Sequence, residues 1–335
     1  MCLFPKLISN PKYKATKKNG GNIPPVSDER VKLVPIGCNK CLECRKQKDR
    51  EWRTRLAEQL KETPEAKFVT FTFSTDSLED LSQIIFENQP TIEGYDIDNE
   101  IATLAVRRFL ERWRWKHKKS VKHWLITEVG GGRYEHMHIH GILFTNATKD
   151  TITDTWGYGF TFIGDYVNQT TINYITKYLT KTDEKHPNFI PRILTSKGIG
   201  SRYTKIRQGD WLKNKFKAEE TNEAYRLPDG TKTNLPIYYR NKIYTEEERE
   251  KLWLIKLDKQ KRYILGQEVD ISENEDEYWA GLKEAQKKNK RMGYGGNEQT
   301  WEEQEYEKQR RKLKLKERMN KKNNKKNKKE REGGG

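Results

Sequence analysis

Long apolar runs are missing from this 335-residue sequence, in which 33% of residues are hydrophobic and 34% charged. No stretch reaches the roughly 18 apolar residues that a membrane-spanning helix needs. The opening MCLFPKLISNPKYKATKKNGG also lacks the apolar core of roughly 7–15 residues that marks a signal peptide. The expectation is a protein with no membrane partner that works in the cytoplasm. Cysteine is scarce: Cys2, Cys38, Cys41 and Cys44 are all there is. That excludes a disulfide framework over most of the chain and, in a reducing compartment, favours metal ligation. No G-x-x-x-x-G-K-[ST] phosphate loop occurs, so neither a nucleotide cofactor nor a built-in helicase motor is expected.

What is abundant is positive charge. Lys and Arg number 66 against 49 Asp and Glu, a formal net charge of +17. From Tyr306 to Gly335, 14 Lys and Arg stand against 4 Glu, so +10 lies in that stretch and +7 elsewhere. A basic balance favours a polyanionic partner but specifies no chemistry. The Lys/Asn-rich end is too polar to bury the surface that folding requires and is expected to be disordered or helical.

Periodicity sets out the elements. RKQKDREWRTRLAEQLKE reads as a helix with Trp52, Leu56 and Leu60 at spacings of four. The segment 67–74 alternates as a strand, with Val69, Phe71 and Phe73 on one face and Thr70 and Thr72 on the other. A helix over 99–118 carries Ile101, Leu104, Ala105, Phe109 and Trp113 on one stripe. Strands at 121–129 and 138–144 follow, then a helix near 148–156, a strand in GYGFTFIG and a helix over 169–182. Further on, YRLPDGTKTNLPIYYR (225–240) reads as a hairpin turning at Asp229-Gly230, and TEEEREKLWLIKLDKQKRYILG as a helix.

Two constellations carry chemistry. In HIHGILF, residues two apart share a strand face, so His138 and His140 point the same way. Paired imidazoles with a carboxylate suit a divalent ion, and Glu128, at the end of the preceding strand, is the candidate third ligand. His136 is an alternative to His138, and Glu135 a weaker rival to Glu128. The second constellation is YITKYLTK, where each of Tyr174 and Tyr178 has a lysine, Lys177 and Lys181, three residues on. On a helix the two tyrosines lie one turn apart, beside a buried stripe of Ile172, Ile175 and Leu179. A tyrosine hydroxyl near a cation loses its proton more readily and can attack phosphorus.

Taken together, these motifs resemble the HUH endonucleases, in which two histidines flank a hydrophobic residue ahead of a Y-x-x-K helix. Within them the sequence resembles the replication initiation proteins of gokushovirus-like microviruses, small single-stranded DNA phages. The likeness rests on MCLFPKLI, PIGCNKCLECRKQKDREW, FVTFTF, HIHGILF, YITKYLTK, SKGIGSRY and LPDGTKTNLPIYYR, spanning about residues 1–245. It implies an α+β fold whose central antiparallel sheet is flanked by helices, with an N-terminal cysteine-rich extension and a basic disordered C-terminal tail. It also implies four regions: a cysteine-rich segment and helix at 1–62, an endonuclease core at 63–185, an extension packed on it at 186–270, and the charged tail at 271–335. The implied activity is a site-specific nick in single-stranded DNA at a replication origin, in the cytoplasm of a bacterial host. A tyrosine would become 5′-phosphotyrosine and leave a 3′-OH for host polymerase, with a host helicase opening the duplex. By position, His138, His140 and Glu128 would bind Mg²⁺ or Mn²⁺, and Tyr174 and Tyr178 would be the nucleophiles.

Cys38-x2-Cys41-x2-Cys44, completed by Cys2, offers four thiolates for a structural Zn²⁺ that pins the N-terminus, and lacks the fourth spacing of an iron–sulfur run. The stretch AVRRFLERWRWKHKKSVKHW interleaves Arg107, Arg108, Arg112, Arg114, Lys116, Lys118 and Lys119 with Trp113 and Trp115. It suits single-stranded DNA as well as it suits an ordinary surface helix. Two other functions fit parts of the pattern: a zinc-containing nucleic-acid-binding regulator without catalysis, and a relaxase or transposase of the same chemistry.

Overall fold

The computed structural model describes residues 1–26, 28–131, 135–205, 216–220, 223–227 and 230–296. The expected basic tail beyond 296 and the expected turn residue Asp229 lie outside that set. The described chain forms two compact units, Met1–Arg55 with Ser201–Glu298 and Leu56–Gly200. The boundary falls inside the first helix, α1 (Leu42–Glu62).

The unit Leu56–Gly200 is mixed α+β and is built on one five-stranded sheet. Its strands are β3 (Lys67–Phe71), β4 (Lys122–Val129), β5 (Met137–Phe144), β6 (Thr161–Gly164) and β7 (Ile193–Thr195). Their order is β6-β3-β5-β4-β7, with every neighbouring pair antiparallel. This is the central antiparallel sheet that the sequence implies, and β5 is its middle strand. One face is apolar and closed. Val69, Phe71, Leu125, Met137, Ile139, Leu143 and Ile163 pack there with three helices, α2 (Thr75–Asn88), α3 (Tyr95–His117) and α4 (Lys149–Trp156). The α3 stripe predicted by periodicity is buried at Ile101, Ala105, Phe109 and Trp113. Phe71 stacks on Trp156 at 4.4 Å between centroids and 8° between planes. The other face carries Thr70, Glu128, His138 and His140, because alternation along each strand sends these outward from the apolar layer.

The central pair is tightly apposed at Gly141. A Cβ there would lie 2.1 Å from the Trp124 carbonyl oxygen and 2.8 Å from Leu125 Cα. Backbone on both sides leaves nothing flexible to give way. Gly141→Ala is expected to destabilise the unit by about 1–3 kcal/mol through overpacking, read as a lower denaturation midpoint; an unchanged midpoint would mean the strands separate freely.

The other unit joins both ends of the described chain. β1 (Lys6–Ser9) pairs with β2 (Leu33–Ile36), in a region whose first thirty residues read as irregular in the sequence. The predicted hairpin at 225–240 is present but shorter. β8 (Ala224–Arg226) pairs with β9 (Lys232–Asn234), and the second arm then gives way to α6 (Ile237–Ile243). Pro236 ends the extended arm, and burial of Tyr239 holds the following turn helical. The helix expected from Thr245 onward is α7 (Glu246–Asp258), started by a Thr245/Glu248 capping box. It stops short of KRYILG, where β10 (Lys261–Ile264) and β11 (Gln267–Asp270) form a hairpin. α8 (Asp276–Arg291) is the last described element and packs Tyr278, Leu282 and Ala285 with Leu3, Cys41 and Ile264. Among the described residues, no helix is long and apolar enough to cross a membrane.

Candidate metal and tyrosine centre

Register assembles the first constellation. Glu128 on β4 lies directly opposite His138 on β5, and His140 lies opposite Ile126 on one side and Thr70 on the other. His140 Nε2 is 2.8 Å from Glu128 Oε2, and its Nδ1 is 3.0 Å from Thr70 Oγ1. Both ring nitrogens are thus fixed, one by a carboxylate and one by a hydroxyl. His138 stands beside it, with 6.3 Å between ring centroids. Gly130 makes room for that ring: a Cβ there would meet His138 Cε1 at 2.6 Å.

The charge states follow from the surroundings. Burial alone would raise the Glu128 carboxyl, but the His140 hydrogen bond and the Lys181 ammonium outweigh it and hold it below the ordinary value of 4.5. Burial, and after it the His140 neighbour, push the His138 imidazole below its ordinary 6.5. An ionised carboxylate beside a neutral imidazole is a donor set that a divalent ion can use. The Glu128 shift also carries a stability consequence. A depressed carboxyl contributes stability above its unfolded value, and that contribution is lost as the pH falls through the folded one. In chelator, wild type is therefore expected to exceed Glu128→Gln in denaturant resistance at neutral pH, with the gap closing below about pH 4.5. A gap constant across that range would show that the carboxylate charge is not engaged.

The tyrosines come from α5 (Gln169–Thr176), capped by Asn168, and from the 3₁₀ turn Lys177–Leu179 that continues it. The helix predicted to run to 182 therefore tightens after Thr176. Ile172, Ile175 and Leu179 are buried as the stripe predicts. The two hydroxyls are 3.0 Å apart. Tyr178 is 7% exposed and lies flat on His140, with 4.7 Å between centroids and 5° between planes. Tyr174 is 46% exposed and meets Phe68 edge to face at 6.1 Å. Burial first, then the hydrogen bond to Tyr174 and the charge of Glu128, push the Tyr178 hydroxyl well above the ordinary tyrosine range. Lys177 and Lys181 sit over the rings of Tyr174 and Tyr178 at 5.0 and 5.6 Å. Lys181 also donates to Glu128 Oε1 at 2.5 Å, so part of its charge goes to the carboxylate rather than to a phenol.

The rival ligands lie elsewhere. His136 precedes β5, and Glu135 is buried with Oε2 3.3 Å from Nε2 of the buried His186. His186 Nδ1 in turn meets Asp183 at 2.7 Å. This second histidine contact joins the start of the metal strand to the segment after the tyrosines, and sequence spacing held no sign of it. Thr70 was readable, because strand alternation places it opposite Val69 and Phe71. Of the basic stretch, Trp113 is core and Trp115 is 77% exposed, while Arg112 binds the carbonyls of Thr155 and Trp156.

In the other unit the four cysteines converge, with all four Sγ within 4.8 Å of one another, and the cluster can hold a metal ion. Cys2 and Cys41 Sγ are 3.9 Å apart, far beyond a disulfide. Four sulfurs about 2.3 Å from a tetrahedral zinc would be about 3.8 Å apart. The Phe4 and Cys38 amides donate to Cys2 Sγ, and the Cys41 amide to Cys38 Sγ, as suits thiolate acceptors. The surrounding thiols hold Cys38 low, and Cys2 lies at about 6, Cys38 raising it while Cys41 and Cys44 bring it down.

Comparison with known proteins bears on the same sheet and tyrosine helix. Residues 66–183 match a family model, that of the replication-associated protein ORF2. The chain is also 28% identical over 193 residues to the replication-associated protein ORF2 of Spiroplasma virus 4. That alignment takes in 50% of this chain and 56% of the relative, so the chain spans little more than half the relative's length. No solved structure gives a significant match. The matched family segment begins at β3 and ends just past Lys181, so it contains every residue of the histidine–tyrosine centre. The similarity supports a viral replication-associated protein.

Proposed function

We propose that this chain is a rolling-circle replication initiator that nicks single-stranded DNA at an origin and keeps the cut end on a tyrosine. The observation that carries this reading is the stacking of Tyr178 on His140, whose other contacts are Glu128 and Thr70. Nucleophile candidates and ligand candidates thereby share one face of the sheet, within the segment similar to replication-associated proteins. In the proposed step a tyrosine oxygen attacks the scissile phosphorus. The Tyr–O–P bond forms as the P–O3′ bond breaks, the phenol gives up its proton, and the departing 3′ oxygen gains one. The products are a 5′-phosphotyrosine and a 3′-OH for the polymerase of a bacterial host, with a host helicase opening the duplex. The reverse reaction closes a circle. His138, His140 and Glu128 would hold the Mg²⁺ or Mn²⁺, which when bound neutralises charge on the phosphate. Lys177 and Lys181 would offset the charge that develops there. We assign Zn²⁺ to Cys2, Cys38, Cys41 and Cys44 as a structural ion, on the sulfur spacing.

The test is incubation with single-stranded origin-region oligonucleotides and Mn²⁺, looking for an SDS-resistant protein–DNA band. A band that His138→Ala/His140→Ala removes supports the reading. Tight DNA binding with no adduct on any strand would favour the zinc-containing regulator. Nicking confined to a transfer or transposon end would favour a relaxase or transposase.

A further inference from the structure

β6 is an edge strand of the sheet, pairing only with β3 among the described residues. Two large aromatics stand out from it: Phe160 is 72% and Phe162 54% exposed. Register fixes their direction. Phe162 lies opposite Thr70, whose hydroxyl touches His140, so Phe162 is on the same face as the histidines. The Phe160 carbonyl accepts from the Thr72 amide at 2.9 Å and the Thr72 hydroxyl at 2.8 Å, which places Phe160 two residues along on that face. The rings continue inward without a break. Phe162 meets Phe68 at 6.1 Å, Phe68 meets Tyr174 at 6.1 Å, and Tyr174 meets Tyr178 at 5.7 Å.

Single exposed phenylalanines are common and carry no message. Here two share one face of an edge strand, where exposed apolar side chains invite unwanted pairing, and both lead to the tyrosines. Resting on the nickase reading, we propose that Phe160 and Phe162 are a base-stacking platform for the nucleotides that flank the scissile phosphate. Bases of a single strand offer flat apolar faces, whereas a duplex keeps those faces stacked inside. The backbone that links such bases is anionic, and Lys177 and Lys181 lie over the tyrosine rings at the inner end of the track. Stacking of each base on an aromatic ring is worth about 1–3 kcal/mol, or roughly 5- to 150-fold in affinity.

The experiment compares full-length wild type, Phe160→Ala/Phe162→Ala and Phe160→Trp/Phe162→Trp. Each is titrated with a fluorescein-labelled single strand, with its duplex, and with a single strand carrying 2-aminopurine beside the nick. The expected result is at least tenfold weaker single-strand binding in the alanine variant, loss of 2-aminopurine quenching, and recovery of both with tryptophan. Adduct yield at saturating DNA should be kept, because neither ring touches the reacting atoms, and circular dichroism melting checks that the fold is intact. Wild-type affinity and quenching in the alanine variant would overturn the proposal, as would a change confined to self-association, which would assign the edge to a second copy of the chain. Failure of the nickase reading looks different: wild type would form no adduct at all, whatever the phenylalanine variants do to binding.

Discussion

Tyr174→Phe/Tyr178→Phe is expected to abolish the covalent protein–DNA adduct while leaving single-strand affinity within about twofold. The substitution removes two oxygens and nothing else. The edge contact of ring 174 with Phe68 and the stacking of ring 178 on His140 both survive it. Loss of a nucleophile commonly costs at least about a thousandfold in rate, so no band should remain at times that saturate the wild-type reaction. The single variants should differ. Tyr174 is the half-exposed ring, open to a strand arriving from solvent, so Tyr174→Phe should impair the first cut more than Tyr178→Phe. Equal adduct yields in wild type and the double variant would remove both tyrosines from the chemistry and leave the His138 face without a nucleophile.

The second large effect concerns the cysteines. The purified protein is expected to carry one zinc per chain by elemental analysis, and a strong chelator should unfold the part of the chain that surrounds Cys41. Structural zinc contributes about 10–16 kcal/mol in small zinc domains. Loss of only about 4 kcal/mol would lower the melting temperature of a unit of this size by roughly 10 °C. Cys38→Ser should reproduce the chelator effect and should no longer respond to it. Zinc-free protein with an unchanged melting curve would show that the four sulfurs hold nothing that matters to the fold.

The central part of the fold was legible because its signals are local. Alternation at 67–71, 122–129 and 137–144 and the apolar stripe of α3 each lie within one element, and pairing those elements places His138 opposite Glu128. Other elements depend on information that no short window holds. Ser74 has the extended backbone (φ −69°, ψ 160°) of a strand residue while capping α2; an N-cap and a strand end share those angles, so reading the strand through to 74 hid the helix. The β10–β11 turn has positive φ at Leu265 (50°) as well as Gly266 (91°). That pair suits a tight hairpin, but leucine gives no warning of it. The β1–β2 ladder joins segments more than twenty residues apart, and the contact of His186 with Glu135 brings together two loops. Both are products of packing rather than of pattern.

The switch from α5 to a 3₁₀ turn at Lys177 has a consequence for how the tyrosines divide their labour. Four residues along a regular α-helix advance a side chain by about 40°, whereas two α steps followed by two 3₁₀ steps advance it by about 80°. The tighter winding swings Tyr178 under the sheet-facing side and leaves Tyr174 outside, yet keeps the two oxygens within a single hydrogen bond. A phosphoryl group carried by one would already lie within reach of the other. Passing a DNA end between them would then take a change of rotamer, with no hinge or domain to move, so the pace of that exchange would be set by side-chain motion rather than by reorganisation of the fold.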